Sequence, residues 1–369
     1  MNSVFFCSKC LVMSTRPRVK FDKNNICSAC KWSEEKKKLN WSIKNKKLLK
    51  LLTKYKKNKP YNCLVPVSGG KDGSYVAYNL KNKYKMNPLC VTVRPPLETE
   101  LGKRNLNSFV SSGYQHIHIS TNVKTMQKLN KIGFIEMGFP YYGWLIAIHS
   151  AVLRVACSFK IPLIFYAEDG EVEYGGDSKH KNNGIYGTDY MISNYLEAGY
   201  KKVLKKSKLS EDDLYWFTLP NKKELKKNKI VCTHMSFYEN WDPYRNYLIA
   251  KKYCGLEEKE ELNRGTYTNF AQNDQKLYSL HVYLMYLKFG FGRTNQDASI
   301  DVRRGAMSRE QAIELVKIYD NHFPNEYLDE YLDYFQMNKK NFFLTIDKWA
   351  NKKILQKING KWIPKFKIS

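Results

Sequence analysis

The pattern of apolar and polar positions in residues 61–240 alternates short apolar runs with longer amphipathic segments. Short apolar runs bounded by turn residues predict buried strands at 63–67, 89–94, 117–119, 163–167 and 230–233. Apolar residues recurring every three or four positions predict helices at 74–84, 101–112, 123–132 and 144–159. This alternation is typical of an α/β fold, with a Rossmann-like parallel sheet covered by helices on both faces.

The C-terminal part of the chain is predicted to be mainly helical. Asp242 is placed to cap a helix that has Pro243 at its first position. A long helix is predicted over residues 272–293, and Ser308 with Gln311 forms a capping-box pattern before a helix at 312–319. The apolar runs around Asn359 and Gly360 predict a terminal hairpin.

These patterns divide the chain into five parts. Residues 34–59 are lysine-rich and amphipathic, and residues 176–229 are polar and weakly periodic, which suggests an excursion or a mobile lid. The predicted parts are a zinc ribbon (1–40), a linking helix (41–60), the α/β domain (61–240), a helical region that completes the site (241–337) and a tail of helix and hairpin (338–369).

The formal net charge of +27 leaves three interpretations open. A nucleic-acid-binding surface, a solvated lysine-covered surface and an anionic substrate such as a nucleotide sugar would each account for it. Lysine supplies 51 of the 62 basic residues and is spread through the chain, so charge alone does not decide. No run of roughly eighteen apolar residues and no secretory pattern is present, which predicts a soluble, cytoplasmic protein without membrane insertion.

Four of the nine cysteines form two C-x-x-C pairs, Cys7 with Cys10 and Cys27 with Cys30. Two such knuckles place four thiolates around one ion, the arrangement that suits a structural Zn²⁺. A redox pair is the competing interpretation. The odd total and the scattered apolar settings of the other five cysteines argue against a disulfide scaffold and for a reducing compartment.

The strand at 63–67 runs into a glycine-rich turn and then a helix. Paired glycines let the backbone approach a polyanion, helix-start amides point at it, and a lysine adds a mobile charge. The spacing fits neither the Walker loop nor the dinucleotide fingerprint. It resembles the PP-loop of the ATP pyrophosphatases, except that a glycine separates the aspartate from the last serine. The predicted ATP-binding residues are Ser68, Gly69, Gly70, Lys71, Asp72, Gly73 and Ser74.

Two further segments follow predicted strand ends, where ligands of parallel sheets bind. Thr92, Val93 and Arg94 end the second strand and are candidates for the wall around adenine or ribose. The acidic segment from Glu168 to Glu173 follows the fourth strand, and it predicts either an acidic surface loop or a site for Mg²⁺, substrate or incoming amine. Glu168 is nearest the strand. His149, within a predicted helix, is interpreted as a packed histidine.

A basic cluster follows the predicted long helix. Arginine binds phosphate or carboxylate bidentately, so an anion site is one interpretation, and helix-end charges fixed by Asp297 and Asp301 are the other. The predicted substrate-binding residues here are Lys288, Arg293, Asp301, Arg303 and Arg304.

Adenylating an amide oxygen makes AMP the leaving group, and ammonia, an amine or sulfide then replaces that oxygen. Ammonia from glutamine would require a nucleophilic cysteine. Residue 2 is asparagine, and no cysteine sits in a Gly-x-Cys-x-Gly elbow. A glutaminase would therefore be a separate protein.

Five segments resemble, in this order, the N-acetyl sugar amidotransferase family. They are the cysteine pairs, the Ser68–Ser74 loop, the strand before Glu168 with Glu173-Tyr174-Gly175-Gly176, Trp241-Asp242-Pro243-Tyr244, and the run from Lys288 through Gly305. Ala167 stands where that family is expected to have glycine. The resemblance implies an ATP-dependent enzyme that converts an acetamido group of a nucleotide-activated sugar to an acetamidino group for surface polysaccharide or flagellar glycans. It also implies ammonia delivered by a glutaminase with a cyclase-like companion.

By this resemblance, the loop holds pyrophosphate, residues 92–94 border the nucleoside, and Lys71, Asp72 and Glu168 act in catalysis. Glu173 and the basic cluster would contact the sugar nucleotide. Two alternatives remain open: a PP-loop enzyme that adds sulfur or lysine to tRNA, which would need an acceptor cysteine near the loop, and a non-catalytic zinc-ribbon adaptor.

Overall fold

The computed structural model describes residues 4–56 and 59–369. The predicted ribbon and linking helix therefore each include residues outside the described ranges, at 1–3 and 57–58. A six-stranded sheet in the order β3-β2-β1-β4-β6-β5 forms the centre of the fold. All neighbouring strands are parallel except β5, which is antiparallel to β6. The strands are β1 (Cys63–Pro66), β2 (Pro88–Val93), β3 (Gln115–Ile119), β4 (Leu163–Tyr166), β5 (Ile185–Tyr186) and β6 (Val231–His234).

Helices cover both faces of this sheet, which confirms the predicted fold class. The first ten are α1 (Ser28–Lys38), α2 (Trp41–Tyr55), α3 (Lys71–Tyr78), α4 (Glu100–Ser111), α5 (Val123–Met137), α6 (Tyr142–Ser158), α7 (Gly170–Tyr174), α8 (Thr188–Tyr190), α9 (Tyr200–Ser207) and α10 (Lys222–Lys227). The C-terminal elements are α11 (Pro243–Cys254), α12 (Leu277–Phe289), α13 (Arg293–Arg304), α14 (Arg309–Tyr319), α15 (Leu328–Phe335), α16 (Lys339–Trp349), β7 (Leu355–Ile358) and β8 (Lys361–Pro364).

Two hydrophobic cores sit on opposite faces of the sheet because side chains alternate along each strand. Leu64 and Ile164 pair across β1 and β4 and point into the core formed with α5 and α6. Val65 and Phe165 point into the other core, with α2, α3 and α4. Strands buried on both faces read as continuous apolar runs, which is why the sequence located β1, β2, β4 and β6. The short antiparallel strand β5 was not predicted.

The predicted helix over residues 272–293 is wrong at both ends. Gly290 adopts a left-handed φ of 81° and ends α12, and a separate helix begins at Arg293. Upstream, Gln275 forms an antiparallel bridge with Glu98, and the Thr99 amide donates to the Asp274 carbonyl at 3.1 Å. This segment, residues 273–276, is called the strap; it lies outside any helix where a helix was predicted, and α12 begins only at Leu277.

The 176–229 segment packs against the main core, with Met191, Leu196 and Phe217 almost fully buried. Predicted local features are present: Asp242 accepts amide hydrogen bonds at the start of α11, Ser308 and Gln311 form the capping box, and β7 pairs with β8 as a hairpin. Within the described ranges, no helix has both the length and the apolarity to cross a bilayer.

Candidate active site and metal centre

The glycine-rich loop lies at the carboxyl end of β1 and leads into the N-terminus of α3. Gly69 has a φ of 77°, and a Cβ there would lie 2.5 Å from the Leu106 amide nitrogen, so only glycine fits. Gly70 caps α3 without a side-chain hydrogen bond. The first backbone amides of a helix have no partner within it, and here they face the loop. The geometry is that of an anion cradle.

A cavity of about 110 Å³ opens over this cradle between the loop and the start of the strap. Five loop residues line it, Ser68, Gly70, Lys71, Asp72 and Gly73, together with residues 270–274 from the opposite side. Ser74 is placed differently: it is fully buried and its hydroxyl has no partner in the described structure. Five of the seven predicted loop residues are therefore assembled around one cavity, and Gly69 and Ser74 are not part of its lining.

Lys71, Asp72 and Glu168 form one charged cluster at this edge of the sheet. Lys71 pairs with Asp72, whose other oxygen accepts a hydrogen bond from the Asn246 amide at 3.1 Å. Glu168 accepts a hydrogen bond from the Tyr174 hydroxyl at 3.0 Å. Burial, and then the charge of Asp72, raise the pKa of Glu168 to about 7, while Lys71 lowers it. A carboxyl group whose pKa lies near neutral pH can exchange a proton during a reaction.

The other carboxylates of the acidic segment are each bound by a protein partner. Arg18 binds Glu171 at 2.6 Å, Lys36 binds Glu173 at 2.6 Å, and the Tyr190 hydroxyl donates to Asp169 at 3.0 Å. The surface-loop interpretation is wrong because these groups are largely buried in ion pairs and hydrogen bonds. Of the four carboxylates of the segment, Glu168 is the one that faces the Lys71–Asp72 pair. Glu173 anchors the N-terminal segment through Lys36 and Trp32.

An apolar pocket of about 200 Å³ adjoins the cradle, and the two cavities share Ser68, Gly73, Gly102 and Asp274. Thr92 and Val93 line it with Trp144 and Leu106. The Thr92 hydroxyl donates to the Val67 carbonyl at 2.6 Å, which fixes the strand end. Arg94 is not part of this lining: it pairs with Glu98 at 3.4 Å and its side chain is 53% exposed.

A larger cleft, of about 840 Å³, has Tyr174 in its lining. Basic residues line it, namely Lys9, Lys36, Lys37, Arg303 and Arg304. Aromatic residues line it as well, namely Trp32, Trp41, Tyr174 and Trp241. Cations and flat aromatic rings together suit a ligand that carries both phosphate and ring groups. We call this space the basic cleft.

The structure distributes the predicted basic cluster over three places. Arg304 lies over the Tyr244 ring at 4.0 Å, beside Asp301, and points to the basic cleft together with Arg303. Arg293 is buried instead against Asp297 at 2.9 Å and the Tyr278 hydroxyl. Lys288 donates to the Met137 carbonyl at 3.3 Å, away from the cleft. The helix-end interpretation therefore describes Arg293, and the anion-site interpretation suits Arg303 and Arg304.

The sequence analysis assigned no role in the site to three residues: Tyr174, Asn246 and Asp274. Tyr174 was noted only as part of a motif directly after the acidic segment, because its link to Glu168 depends on the turn of α7. Asn246 and Asp274 reach the loop from far along the chain. Burial raises the pKa of Asp274 to about 6, and one of its side-chain oxygens has no partner in the described structure. No local pattern marks any of the three.

The sulfur atoms of Cys7, Cys10, Cys27 and Cys30 lie within 4.8 Å of one another and are buried. Cys7–Cys30 and Cys10–Cys27 are each separated by 3.7 Å. Four sulfurs bound to one zinc ion at about 2.3 Å stand about 3.8 Å apart, so the geometry fits a single tetrahedral metal ion. Among the residues described, these four cysteines are the only group of three or more potential ligands found so close together.

The cysteine site ties the N-terminal segment to the C-terminal helices. Arg303 contacts the Cys10 sulfur at 3.6 Å, and Arg309 donates to the carbonyl oxygens of Cys7 and Cys10 at 3.2 and 3.1 Å. Asn295 donates to the Leu11 carbonyl at 2.7 Å. Because Arg303 also lines the basic cleft, the metal site supports one wall of that cleft.

Cys27→Ser is expected to remove bound metal and to destabilise the protein. Loss of one of four thiolates leaves an open tetrahedron, and structural metal sites contribute directly to folding. Elemental analysis should fall from about one metal ion per chain to well below half, and thermal unfolding should shift to lower temperature. Cys157→Ser, outside the site, is the matched control. Full metal content in Cys27→Ser would contradict this assignment.

Residues 264–367 match the family model described as LPS biosynthesis protein WbpG-like, C-terminal domain. The chain carries a WbpG-like C-terminal domain. This match, over residues 264–367 of the 369-residue chain, supports the family predicted from the sequence motifs. The WbpG-like domain supplies the strap over the phosphate loop and Arg303 and Arg304 of the basic cleft, so it forms part of the candidate site. No curated protein sequence gives a significant match to the chain.

Solved structures that resemble the chain include the U34-tRNA thiolase NcsA from Methanococcus maripaludis with its [4Fe-4S] cluster, at 16% identity over 83% of this chain and 88% of that one, TM-score 0.35. An NH3-dependent NAD synthetase from Campylobacter jejuni resembles it at 12% identity over 61% and 100%, TM-score 0.29. A tRNA methyltransferase subunit from Methanocaldococcus jannaschii does so at 16% over 60% and 86%, TM-score 0.29. Likenesses at these TM-scores carry no functional argument.

Proposed function

We propose that the protein is an ATP-dependent amidotransferase that converts the acetamido group of a nucleotide-activated sugar to an acetamidino group. The products besides the sugar would be AMP and pyrophosphate, and the nucleophile would be ammonia supplied by a separate glutaminase. The pathway would be surface polysaccharide or flagellar glycan synthesis. The LPS description of the matched C-terminal domain supports a sugar substrate.

One observation carries this proposal: the Lys71–Asp72–Glu168 cluster lies between the phosphate cradle and the basic cleft. Tyr174 connects the two sides, because its hydroxyl binds Glu168 and its ring lines the cleft. A nucleotide bound over the loop and an anionic sugar nucleotide bound in the cleft would therefore meet at this cluster. The apolar pocket beside the loop has a volume suited to a purine ring.

In the first step, the amide oxygen would attack the α-phosphorus of ATP, and the bond to the β-phosphate oxygen would break. Lys71 and the first amides of α3 would neutralise the pyrophosphate as it departs. In the second step, ammonia would add to the adenylated carbon and AMP would leave. Glu168 would take up a proton from the incoming nitrogen, a role that suits its raised pKa of about 7.

Two cofactors follow from the donor sets. Asp72 is an oxygen donor in the lining of the cavity over the cradle and would hold Mg²⁺ together with the ATP phosphates, since magnesium prefers oxygen ligands. The ion would screen the charge of the phosphates. For the cysteine site we propose Zn²⁺. A [4Fe-4S] cluster binds each cysteine through a different iron atom, so its sulfur ligands stand further apart than sulfurs on a single ion.

The alternative of tRNA thiolation requires an accessible acceptor cysteine close to the loop. Cys63 is fully buried and Cys232 is 4% exposed, and burial raises the pKa of both thiols. A buried neutral thiol is a poor nucleophile. These observations disfavour tRNA thiolation through either cysteine.

Incubation with ATP, Mg²⁺, an ammonium salt and a panel of acetamido-sugar nucleotides tests the proposal. Replacing oxygen by NH lowers the substrate mass by about one unit, and mass spectrometry would detect this change together with AMP. Of the CMP- and UDP-linked sugars in the panel, one should be converted to product. Formation of ADP and orthophosphate in place of AMP and pyrophosphate would contradict the proposal.

Arg304→Ala is expected to raise the KM for the sugar nucleotide roughly tenfold to a hundredfold while the KM for ATP changes little. A hydrogen bond from a charged group contributes about 1.5–3 kcal/mol, which corresponds to that range. Steady-state kinetics with each substrate varied in turn would measure it. Lys317→Ala, an exposed change on α14, serves as the control. An unchanged sugar KM in Arg304→Ala would remove the basic cleft from the substrate site.

A further inference from the structure

Three buried polar atoms near the end of β4 lack any hydrogen-bond partner in the described structure: His149 Nδ1, Tyr166 Oη and Tyr186 Oη. They belong to one group of rings, since the Tyr166 ring centroid lies 6.0 Å from that of His149 and 6.1 Å from that of Tyr186. His149 and Tyr186 are only 7% and 8% exposed. Leaving one buried polar group unpaired costs about 1–3 kcal/mol, so three together indicate a small ligand.

Two more side chains complete this group, which we call the chamber: His149, Tyr166, Tyr186, Tyr195 and His234. His234 stacks on Tyr186 at 4.4 Å, and its Nε2 atom lies 3.0 Å from the Tyr195 hydroxyl. Tyr195 is also stacked on His149 at 5.8 Å. The three unpartnered atoms therefore all belong to this one cluster of packed rings.

One end of the chamber meets the candidate active site. Tyr166 and His234 are the last residues of β4 and β6, so the chamber lies at the same edge of the sheet as the phosphate loop. The Tyr195 hydroxyl donates to Asp169 at 3.3 Å. Asp169 directly follows Glu168, which places the chamber beside the Lys71–Asp72–Glu168 cluster.

The other end reaches the opposite edge of the sheet. Tyr186 also lines a groove of about 950 Å³, together with Leu153 and Cys232. Leu153 follows His149 by one turn of α6, so the two side chains lie on the same helix face. Pro162 and Ile230, which precede β4 and β6, line this groove as well. The chamber therefore has one member, Tyr186, in the lining of this groove and two members, Tyr166 and His234, at the active-site edge of the sheet.

The chemistry of the chamber selects a small uncharged molecule. Burial lowers the pKa of His149 to about 4 and that of His234 to about 3, so both rings are neutral at pH 7. The same desolvation disfavours any cation placed there. The carboxyl group of Asp169 lies beside the chamber, and the hydroxyls of Tyr190 and Tyr195 already bind it. The ligand must therefore donate and accept hydrogen bonds without carrying a charge.

We propose that the chamber binds ammonia as the neutral molecule and presents it to the activated amide beside Glu168, an inference that rests on the function proposed above. Ammonia would donate to His149 Nδ1 and accept a hydrogen bond from Tyr166 or Tyr186. Its lone pair forms the new carbon–nitrogen bond while the carbon–oxygen bond to AMP breaks, with that electron pair leaving on AMP. Glu168 receives the proton that nitrogen loses.

Tyr166→Phe and Tyr186→Phe test the chamber with little risk to the fold, because each removes a hydroxyl that has no protein partner. Loss of one neutral hydrogen bond of about 1 kcal/mol should raise the KM for ammonium about fivefold in each variant. The KM for ATP and the rate of adenylation without ammonia should not change. Tyr283→Phe, in the core against Phe323, is the matched control and should leave the ammonium KM unchanged.

The outcomes separate the two proposals. If the wild-type protein forms no AMP with any acetamido-sugar nucleotide, the proposed function fails and the ammonia chamber fails with it. If the wild type is active and both phenylalanine variants keep the wild-type ammonium KM, the function stands and the chamber proposal is overturned, since the chamber then holds water only. A raised ammonium KM in both variants, absent from Tyr283→Phe, supports the chamber.

Discussion

Lys71→Ala is expected to lower the rate of pyrophosphate release about a hundredfold to a thousandfold. The side chain begins α3 at the cradle, where the leaving pyrophosphate would develop its charge, and removing one such stabilising group from an active site typically costs this much. The variant also leaves Asp72 without its cation. A pyrophosphate assay with ATP, ammonium and the accepted sugar nucleotide would measure the loss.

The fold should survive this change because Lys71 pairs only with its neighbour Asp72 at the surface of the cavity. Circular dichroism and thermal unfolding would establish that. Lys103→Ala on α4 is the matched control, since that lysine pairs with Glu100 outside the cavity and its side chain is 41% exposed. Unchanged turnover in Lys71→Ala would refute the assignment of the loop.

Four strands, β1, β2, β4 and β6, could be predicted from the sequence because they are largely buried. The edge strand β3 is partly exposed and was located only in part, and the two-residue β5 was not predicted. Runs such as Leu163 to Phe165 are apolar without interruption, and each is followed by a chain reversal that a turn residue marks. The phosphate loop was located for a related reason. A close backbone contact permits only glycine at position 69, and this requirement is visible in the local sequence. The predicted helix was carried past Gly290 to Arg293 because apolar residues flank that glycine on both sides, whereas α12 ends at Phe289.

The rest of the site depends on distant contacts. The partners of the acidic segment, Arg18 and Lys36, lie in the N-terminal segment, so the sequence could not show that Glu171 and Glu173 are neutralised. The division of the basic cluster has the same origin, because Tyr244 and Cys10 draw Arg304 and Arg303 toward the cleft while Asp297 holds Arg293. Charge patterns identify candidates, and tertiary partners decide their roles.

Glu168→Gln is expected to reduce product formation about a hundredfold or more and, in the free protein, to raise stability above neutral pH. The rate falls because an amide cannot accept the proton, and general base catalysis contributes about 10²- to 10⁴-fold. Stability changes because the carboxylate is buried near Asp72, which raises its pKa to about 7. Glutamine has a similar shape and carries no charge.

The pH dependence follows from the direction of that shift. A carboxyl group with a raised pKa in the folded state binds more protons there than in the unfolded chain, between about pH 4.3 and its folded pKa of about 7. Its contribution to stability is therefore complete below about pH 4.3 and is lost as the pH rises through 7. Wild-type protein should lose more thermal stability than Glu168→Gln between pH 6 and 8.

Buried Asp274 and Asp320 also have raised pKa values, so the wild type alone cannot report on Glu168. Both proteins share those two groups, and the difference between their unfolding curves isolates the one carboxylate. Glu211→Gln, at an exposed position, should show the wild-type slope. If the curves of Glu168→Gln and wild type stay parallel between pH 6 and 8, Glu168 is not the group that titrates. If turnover also survives the substitution, another base takes the proton, and the cluster at the end of β4 acts by positioning ATP alone.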